Sequence, residues 1–306
     1  MRRSVPRWRT GTGIRFIFDA DKGRTMPIGV ALLLYAECKI YRELLQKHAI
    51  NGMMQNVKGG ICMIDFEHVV KQYGKSDVRA VDDLTLHVGK GQVFGFIGPN
   101  GAGKTTSIRL LTGILQPTSG SVKIGGVSMK DDPIGAKRLI GFVPDGHELY
   151  DRLTGLEYLN FMADVYGVSE QQRKAHIEKY LALFELENAA GEQIKSYSRG
   201  MKQKLTIIGA LIHQPPLWVL DEPMVGLDPR AAHILKEEMR AHCEKGNTVF
   251  FSTHVLEVAE KLCDEIAIID KGHLIAQGTL EELRSAEKGA SLEQLFLELT
   301  DAEEQA

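Results

Sequence analysis

A regular alternation of apolar and polar side chains begins near residue 63 and indicates where the folded domain starts. From 64 to 69 the alternation has a period of two, which is typical of a half-buried β-strand. Strands that alternate with helices along the rest of the chain predict an α/β fold with a covered sheet. The further predicted strands are 84–88, 93–97, 121–124, 140–143, 217–220, 249–252, 265–269 and 273–277. The predicted helices are 105–114, 156–166, 171–184, 200–213, 229–244 and 255–262.

The pattern also predicts how the chain is divided. Between about 154 and 213 helices follow one another without a strand, which predicts a helical lobe inserted into the sheet domain at about 150–213. We therefore expect a basic extension over 1–62, a main domain over 63–284 and a helical tail over 285–306.

Composition narrows the class of protein. The 306 residues are 43% hydrophobic and 25% charged, which indicates a globular protein and excludes a wholly disordered or collagen-like chain. The net charge of −3 gives no reason to expect a nucleic-acid partner, because such domains are usually strongly basic. No apolar run approaches the roughly 18 to 20 residues of a membrane span. The four cysteines form no C-x-x-C pair, so we expect reduced thiols in a cytosolic chain, with Cys243 and Cys263 buried.

Residues 1–62 differ from the rest in charge. They contain 11 Lys and Arg against 4 Asp and Glu, a net charge of +7, and one amphipathic pattern at 30–49. We expect them to be disordered or a start-site artefact, with translation beginning at Met63, because residues 58–62 can be encoded by a purine-rich tract like a ribosome-binding site. An Arg-rich targeting segment and a basic segment lying on anionic lipid are the alternatives.

A glycine-rich loop between a strand and a helix carries the clearest chemical signal. Residues 98–106 read GPNGAGKTT, which is the pattern G-x-x-x-x-G-K-S/T in its strand–loop–helix context. Glycines let backbone N–H groups approach phosphate closely, and the helix N-terminus favours an anion. Lys104 is expected to contact the β- and γ-phosphates and Thr105 to ligate Mg²⁺. The other predicted nucleotide-binding residues here are Gly98, Asn100, Gly101, Gly103 and Thr106.

A second motif, which is acidic, follows the apolar strand predicted at 217–220. Asp221 stands where a Mg²⁺ ligand is required, and Glu222 is placed to polarise an attacking water. Taken alone, the pair could be an ordinary acidic turn after a strand. The phosphate loop favours the catalytic interpretation.

These two motifs and the segment between them resemble the nucleotide-binding subunit of ATP-binding cassette (ABC) transporters over about residues 63–306. The sequence YSRGMKQK at 197–204 stands in the place of the L-S-G-G-Q signature of that family. Ser198 and Gly200 match positions that in the family contact the γ-phosphate bound by the opposite subunit, whereas Arg199 and Met201 depart from the pattern. Ser198 also fits the N-cap of a helix.

Single positions extend the resemblance. Tyr73 looks like the aromatic that stacks on adenine, although an exposed tyrosine at a strand end is the simpler alternative. Asp228 lies in a segment like the family's D-loop and also fits an N-cap before proline. His254 looks like the switch histidine that reaches the γ-phosphate. Asp145 stands where the family has a glutamine; it can still face Mg²⁺, but it is shorter, charged and acceptor-only.

The resemblance implies a phosphate-loop NTPase core with an antiparallel β subdomain and an inserted helical lobe. It implies an ATPase that uses ATP and Mg²⁺, pairs head to tail with a second copy or a homologous cassette, and drives an integral-membrane permease from the cytoplasmic face of the membrane. Residues 291–300 resemble the C-terminal helix of bacterial exporter cassettes with a separate membrane subunit, which favours export. The expected docking surface for the permease includes His147, Tyr150 and Leu153.

One alternative function remains open at this point. Some ABC ATPases act on ribosomes or nucleic acid without a membrane partner. They usually fuse two cassettes or insert a long coiled coil, and this sequence contains one cassette and neither insert.

Overall fold

The computed structural model describes residues 62–74, 78–146, 149–286, 293–294 and 296. The strands in chain order are β1 (Ile64–Gln72), β2 (Arg79–Val88), β3 (Val93–Ile97), β4 (Ser119–Ile124), β5 (Val127–Ser128), β6 (Ile140–Val143), β7 (Leu217–Asp221), β8 (Thr248–Thr253), β9 (Glu265–Asp270) and β10 (His273–Gly278). The helices are α1 (Lys104–Leu111), α2 (Pro133–Arg138), α3 (Gly155–Val165), α4 (Glu170–Leu183), α5 (Arg199–Leu211), α6 (Pro229–Glu244), α7 (Leu256–Leu262) and α8 (Leu280–Ala286).

Two sheets form the main domain, and the α/β prediction is confirmed. The smaller sheet is antiparallel, with strand order β2-β1-β4-β5. The larger has the order β10-β9-β3-β8-β7-β6 and is parallel except for β10. The three central strands β3, β7 and β8 are buried at every residue, because helices or the second sheet cover both faces. The loops after these three strands therefore lie together at the carboxyl edge of the sheet.

The helical lobe follows from local sequence. Thr154 and Glu157 form a capping box at the start of α3, and Ser169 and Ser198 cap α4 and α5. The N-cap predicted for Ser198 is confirmed. Apolar residues of the lobe share one buried cluster with the sheet, since Leu159 and Leu205 belong to the same cluster as Trp218. The apolar residues of the lobe thus belong to the same hydrophobic core as one face of the larger sheet.

Some elements differ from the sequence-based predictions. The helix predicted for 105–114 ends at Leu111, and Gly113 follows with a positive φ of 65° that terminates it. The short β5, α2 and α8 were not predicted, because two to seven residues carry too little periodicity to stand out. Cys243 and Cys263 are buried free thiols, as expected. The amphipathic pattern at 30–49 and most of the predicted tail at 285–306 lie outside the described residues.

None of the helices in the described part of the chain has both the length and the apolar composition needed to cross a membrane.

Two histidines lie near the base of the lobe: His213 is half-buried with both ring nitrogens buried, and His242 is buried. His213 stacks on Tyr166 with ring centroids 3.5 Å apart, and His242 meets the Trp218 ring edge to face at 5.6 Å. Burial lowers the pKa of His213 to about 3 and that of His242 to about 4. The unfolded chain, with ordinary histidine pKa values near 6.5, therefore binds more protons than the folded chain below that pH.

We expect the free energy of unfolding to fall as pH drops from about 6.5 towards 4, by up to ~1.4 kcal/mol per pH unit for each histidine. His213→Phe keeps the stack and removes one titration, so its pH dependence should be shallower. Urea unfolding at pH 7, 6 and 5 measures this. The exposed His233→Phe is the control, and equal slopes for His213→Phe and the parent would contradict the prediction.

Candidate functional site

The glycine-rich loop joins the central strand β3 to helix α1. A Cβ atom at Gly98 would collide with the carbonyl oxygen of Ile269, and one at Gly103 would lie 2.5 Å from the oxygen of Ala80. Gly101 and Gly103 have positive φ values of 87° and 105°, which only glycine adopts without strain. Gly103 caps α1 without a side-chain hydrogen bond, so the first N–H groups of the helix are open to an anion.

Lys104 is held inside this loop. Its Nζ donates to the carbonyl oxygens of Gly98 at 2.6 Å and Pro99 at 3.1 Å, and lies 3.9 Å from Oε1 of Glu222. Burial lowers the pKa of the ammonium, while the nearby carboxylates of Glu222 and Asp221 oppose that change. The side chain is 7% exposed and is thus a nearly buried cation that points at the loop's own carbonyl groups.

Asp221 ends β7 at the bottom of the site. Ser252 Oγ on the neighbouring β8 donates to Oδ1 of Asp221 at 2.6 Å and accepts the N–H of Glu222 at 3.0 Å. Burial raises the pKa of Asp221, hydrogen bonds from Ser252 and Thr105 oppose that change, and the negative charges of Asp145 and Glu222 add to it. The structure therefore brings Thr105 and Asp145 close to Asp221, and the metal site that the sequence predicted from these three residues stays a prediction.

Ser252 itself was not predicted. The only signal for it in the sequence was its position at the end of a predicted strand. Its hydrogen-bond partners are set by the register of β7 on β8, in which Asp221 pairs with Ser252.

Glu222 lies at the mouth of the loop in a left-handed backbone conformation, with φ of 48°. Its Oε1 is 2.9 Å from Nδ1 of His254, and its side chain is 14% exposed. The backbone turn directs this carboxylate toward Lys104 and His254, whereas its neighbour Asp221 faces Thr105 and Ser252. Two adjacent carboxylates thus have separate surroundings.

Tyr73 lies at one side of the loop. Its hydroxyl is 3.4 Å from Oγ1 of Thr106, and Lys71 Nζ is 5.5 Å from the centre of its ring. The side chain is exposed, which leaves the ring open to stacking. Asn100, at the tip of the loop, is also exposed.

Ser198, Gly200 and Asp228 form a second group, at the starts of α5 and α6. Ser198 Oγ accepts the N–H of Met201 at 3.2 Å, and Asp228 Oδ1 accepts that of Ala231 at 2.9 Å. A Cβ atom on Gly200 would lie 3.1 Å from the oxygen of Gly226, so the two segments are packed together. Lys104, Glu222 and His254 belong to a different group. They lie beside the phosphate loop, where Glu222 is close to both Lys104 and His254.

A glycine-rich loop with a buried lysine, beside a carboxylate pair and a histidine, defines a nucleotide-hydrolysing domain of the phosphate-loop class. A family model described as "ABC transporter" matches residues 81–225. The chain is 37% identical over 236 residues to the Nod factor export ATP-binding protein I of Burkholderia thailandensis, covering 77% of each chain. It is 37% identical over 233 residues to the linearmycin resistance ATP-binding protein LnrL of Bacillus subtilis, covering 76% of this chain and 74% of that one.

Solved structures agree with these relatives. An ATP-binding subunit of an ABC transporter superimposes with a TM-score of 0.74 at 36% identity, covering 78% of this chain and 99% of that one. A dimeric ATP-binding cassette in a post-hydrolysis state with ADP and Pi gives a TM-score of 0.65 at 26% identity, covering 71% and 99%. The chain belongs to the ATP-binding subunits of the ABC transporter family. It binds and hydrolyses ATP to power transport, and a role on ribosomes or nucleic acid is not favoured.

Asp145 is exposed at the edge of this site and influences Asp221 through its charge. We expect Asp145→Gln to raise the Mg²⁺ concentration for half-maximal ATPase activity by about two- to fivefold, because an exposed charge contributes ~0.2–1 kcal/mol. Turnover at saturating Mg²⁺ should remain measurable. Steady-state ATPase assays over a Mg²⁺ series measure this, with the remote exposed Asp131→Gln as control. Loss of hydrolysis at every Mg²⁺ concentration would contradict the prediction.

Proposed function

We propose that this chain hydrolyses ATP at residues 98–106 with Glu222 as the group that activates water, and that it drives an exporter with a separate membrane subunit. The observation that carries the proposal is the position of Glu222, 2.9 Å from His254 and 3.9 Å from Lys104. A carboxylate at the mouth of a phosphate loop can accept a proton from a water that attacks the γ-phosphate.

The donor groups beside the loop fit Mg²⁺. Asp221, Thr105 and Asp145 provide two carboxylates and a hydroxyl, and Mg²⁺ prefers such oxygen ligands. Such an ion would supply positive charge to the phosphate groups of the nucleotide. We assign Thr105 and Asp221 as the residues that would hold it, with Asp145 alongside.

Each remaining residue has a defined task in this proposal. Lys104 exchanges its hydrogen bonds to the Gly98 and Pro99 carbonyl groups for bonds to phosphate oxygens, where charge-assisted contacts are strong. Glu222 accepts the proton of the attacking water, and His254 holds the Glu222 carboxylate in place. Ser252 fixes the backbone between the two carboxylates.

The second group of residues fits a role across a dimer interface. Ser198, Gly200 and Asp228 stand at the starts of α5 and α6, and the two segments are packed together at Gly200 and Gly226. We propose that they contact the nucleotide held by a second copy or a homologous cassette, while Tyr73 stacks on the adenine of the chain's own ATP. The dimeric state of the post-hydrolysis cassette structure supports this arrangement.

The membrane partner and the direction of transport are inferred from the relatives. Two of them are named for Nod factor export and for linearmycin resistance, which supports export. We propose a permease subunit that holds this chain at the cytoplasmic face of the membrane. Tyr150 and Leu153 are half-buried before α3 and form the described part of the proposed docking surface, while His147 lies outside the described residues.

Glu222→Gln should lower ATP turnover by about 10²- to 10⁴-fold and leave ATP affinity nearly unchanged, because the amide preserves shape and cannot accept the proton. With ATP present, the variant should accumulate as a dimer, measured by light scattering after gel filtration. Glu237→Gln, an exposed glutamate on α6, is the matched control. Turnover of Glu222→Gln within a few-fold of the parent would refute the assignment.

The proposed partner can be tested separately. A tagged chain purified from detergent-solubilised membranes should bring with it a polypeptide with several hydrophobic runs of about 20 residues, identified by mass spectrometry. Recovery of ribosomal proteins or nucleic acid in place of such a polypeptide would contradict the transport proposal.

A further inference from the structure

The segment after Glu222 is held by a buried side chain from the helical lobe. Gln203, in the second turn of α5, is 1% exposed, and its Nε2 donates to the carbonyl oxygen of Pro223 at 3.2 Å. Pro223 is itself buried and directly follows Glu222. The amide of Gln203 therefore contacts the backbone one residue from the carboxylate to which we assign the activation of water.

The backbone at Glu222 needs such support. A non-glycine residue with φ of 48° is strained, and this conformation persists only where surrounding contacts fix it. Ser252 Oγ accepts the Glu222 N–H at 3.0 Å on one side, and the N–H of Val225 donates to the Glu222 oxygen at 3.2 Å. The Gln203 amide fixes the next carbonyl group along the chain.

Packing alone does not explain an amide at this position. Oε1 of Gln203 has no hydrogen-bond partner among the residues that the structure describes. A buried amide with one unpaired atom is less favourable than an apolar side chain of the same length. What Gln203 provides that methionine cannot is the N–H group directed at Pro223.

Helix α5 also contacts the segment that follows Pro223. The side chain of Arg199 runs along Gly226, so that a Cβ atom on that glycine would lie 3.2 Å from Nε of Arg199. Lys204 Nζ is 3.8 Å from Oδ2 of Asp228. The first two turns of α5 thus contact the segment from Pro223 to Asp228 at three points, of which the Gln203 contact is nearest to Glu222 in sequence.

We propose that Gln203 is a positioning residue for Glu222. By holding the Pro223 carbonyl group it maintains the left-handed backbone at Glu222 and keeps the carboxylate directed at His254 and the phosphate loop. This inference rests on the proposed role of Glu222 in activating water. It makes the efficiency of hydrolysis depend on where α5, and with it the helical lobe, lies relative to the sheet.

Gln203→Met tests the proposal, because it keeps the length of the side chain and removes the donor. We expect kcat for ATP hydrolysis to fall by about 10- to 100-fold, since displacing a catalytic group by about 1 Å has effects of that size. The KM for ATP and the binding of a fluorescent ATP analogue should change less than about twofold, because no phosphate contact is altered. Unchanged kcat, or equal loss of binding and turnover, would overturn the inference.

Thr206→Val is the matched control. Thr206 is buried one turn further along α5, and its hydroxyl donates to the Lys202 carbonyl within the helix without reaching the loop. It should change thermal stability as much as Gln203→Met or more, while kcat stays close to that of the parent. A parallel loss of kcat in both variants would mean that Gln203 supports only the fold of α5.

A double variant separates this inference from the proposed function. In the Glu222→Gln background, Gln203→Met should cause no further loss of turnover, because the group that it positions is already removed. An additional loss would overturn the positioning role. A Glu222→Gln enzyme that turns over normally would refute the role of Glu222 and the inference with it. Normal kcat for Gln203→Met beside an inactive Glu222→Gln would refute the inference alone.

Gln203→Glu provides a second measure if the methionine variant fails to fold. An ionised carboxylate of the same shape cannot donate to Pro223, whereas a protonated one can. The ratio of its kcat to that of the parent should therefore rise as pH is lowered from 8 to 6, with burial favouring the protonated form. A ratio that does not change with pH would contradict the proposal.

Discussion

The pairing of β7 with β8 is the constraint on which the site depends. Because Asp221 lies opposite Ser252 in this register, one hydroxyl can bond the Asp221 carboxylate and the Glu222 N–H together. A slip of one residue would exchange the two faces of β7 and turn Asp221 away from Thr105. Complete burial of both strands makes such a slip costly, since it would place apolar and polar side chains on the wrong sides.

Two neighbouring carboxylates acquire different properties from this arrangement. Asp221 is buried with two hydroxyl donors, while Glu222 turns through a left-handed backbone to meet a lysine and a histidine. This separation by backbone geometry suits the two roles that we propose, a metal ligand for Asp221 and a proton acceptor for Glu222, although both residues follow the same strand. The lobe adds its own contact through Gln203, so that sheet and lobe both determine where Glu222 points.

Sequence analysis could identify those residues of the site that lie next to one another in the chain. The phosphate loop and the Asp221–Glu222 pair could be recognised because their residues are adjacent and lie between a strand and a helix. Ser252 and Gln203 could not, because their partners are 30 or 31 and 20 residues away and are set by strand register and helix packing. Short elements such as β5 and α2 were missed for a different reason: β5 pairs with the end of β4 for two residues, and α2 has less than two turns.

The order of strands has a consequence for how the protein is made. The phosphate loop follows β3, whose sheet partners are β8 and β9, so Phe94 pairs with Phe250 and Glu265. During synthesis from the N-terminus, the loop leaves the ribosome about 150 residues before Ser252 and His254. Contacts of such long sequence separation form slowly, whereas the helices of the lobe need only local contacts. A nascent chain can therefore expose a phosphate loop before β8 has joined the sheet and brought Ser252 and His254 to the site.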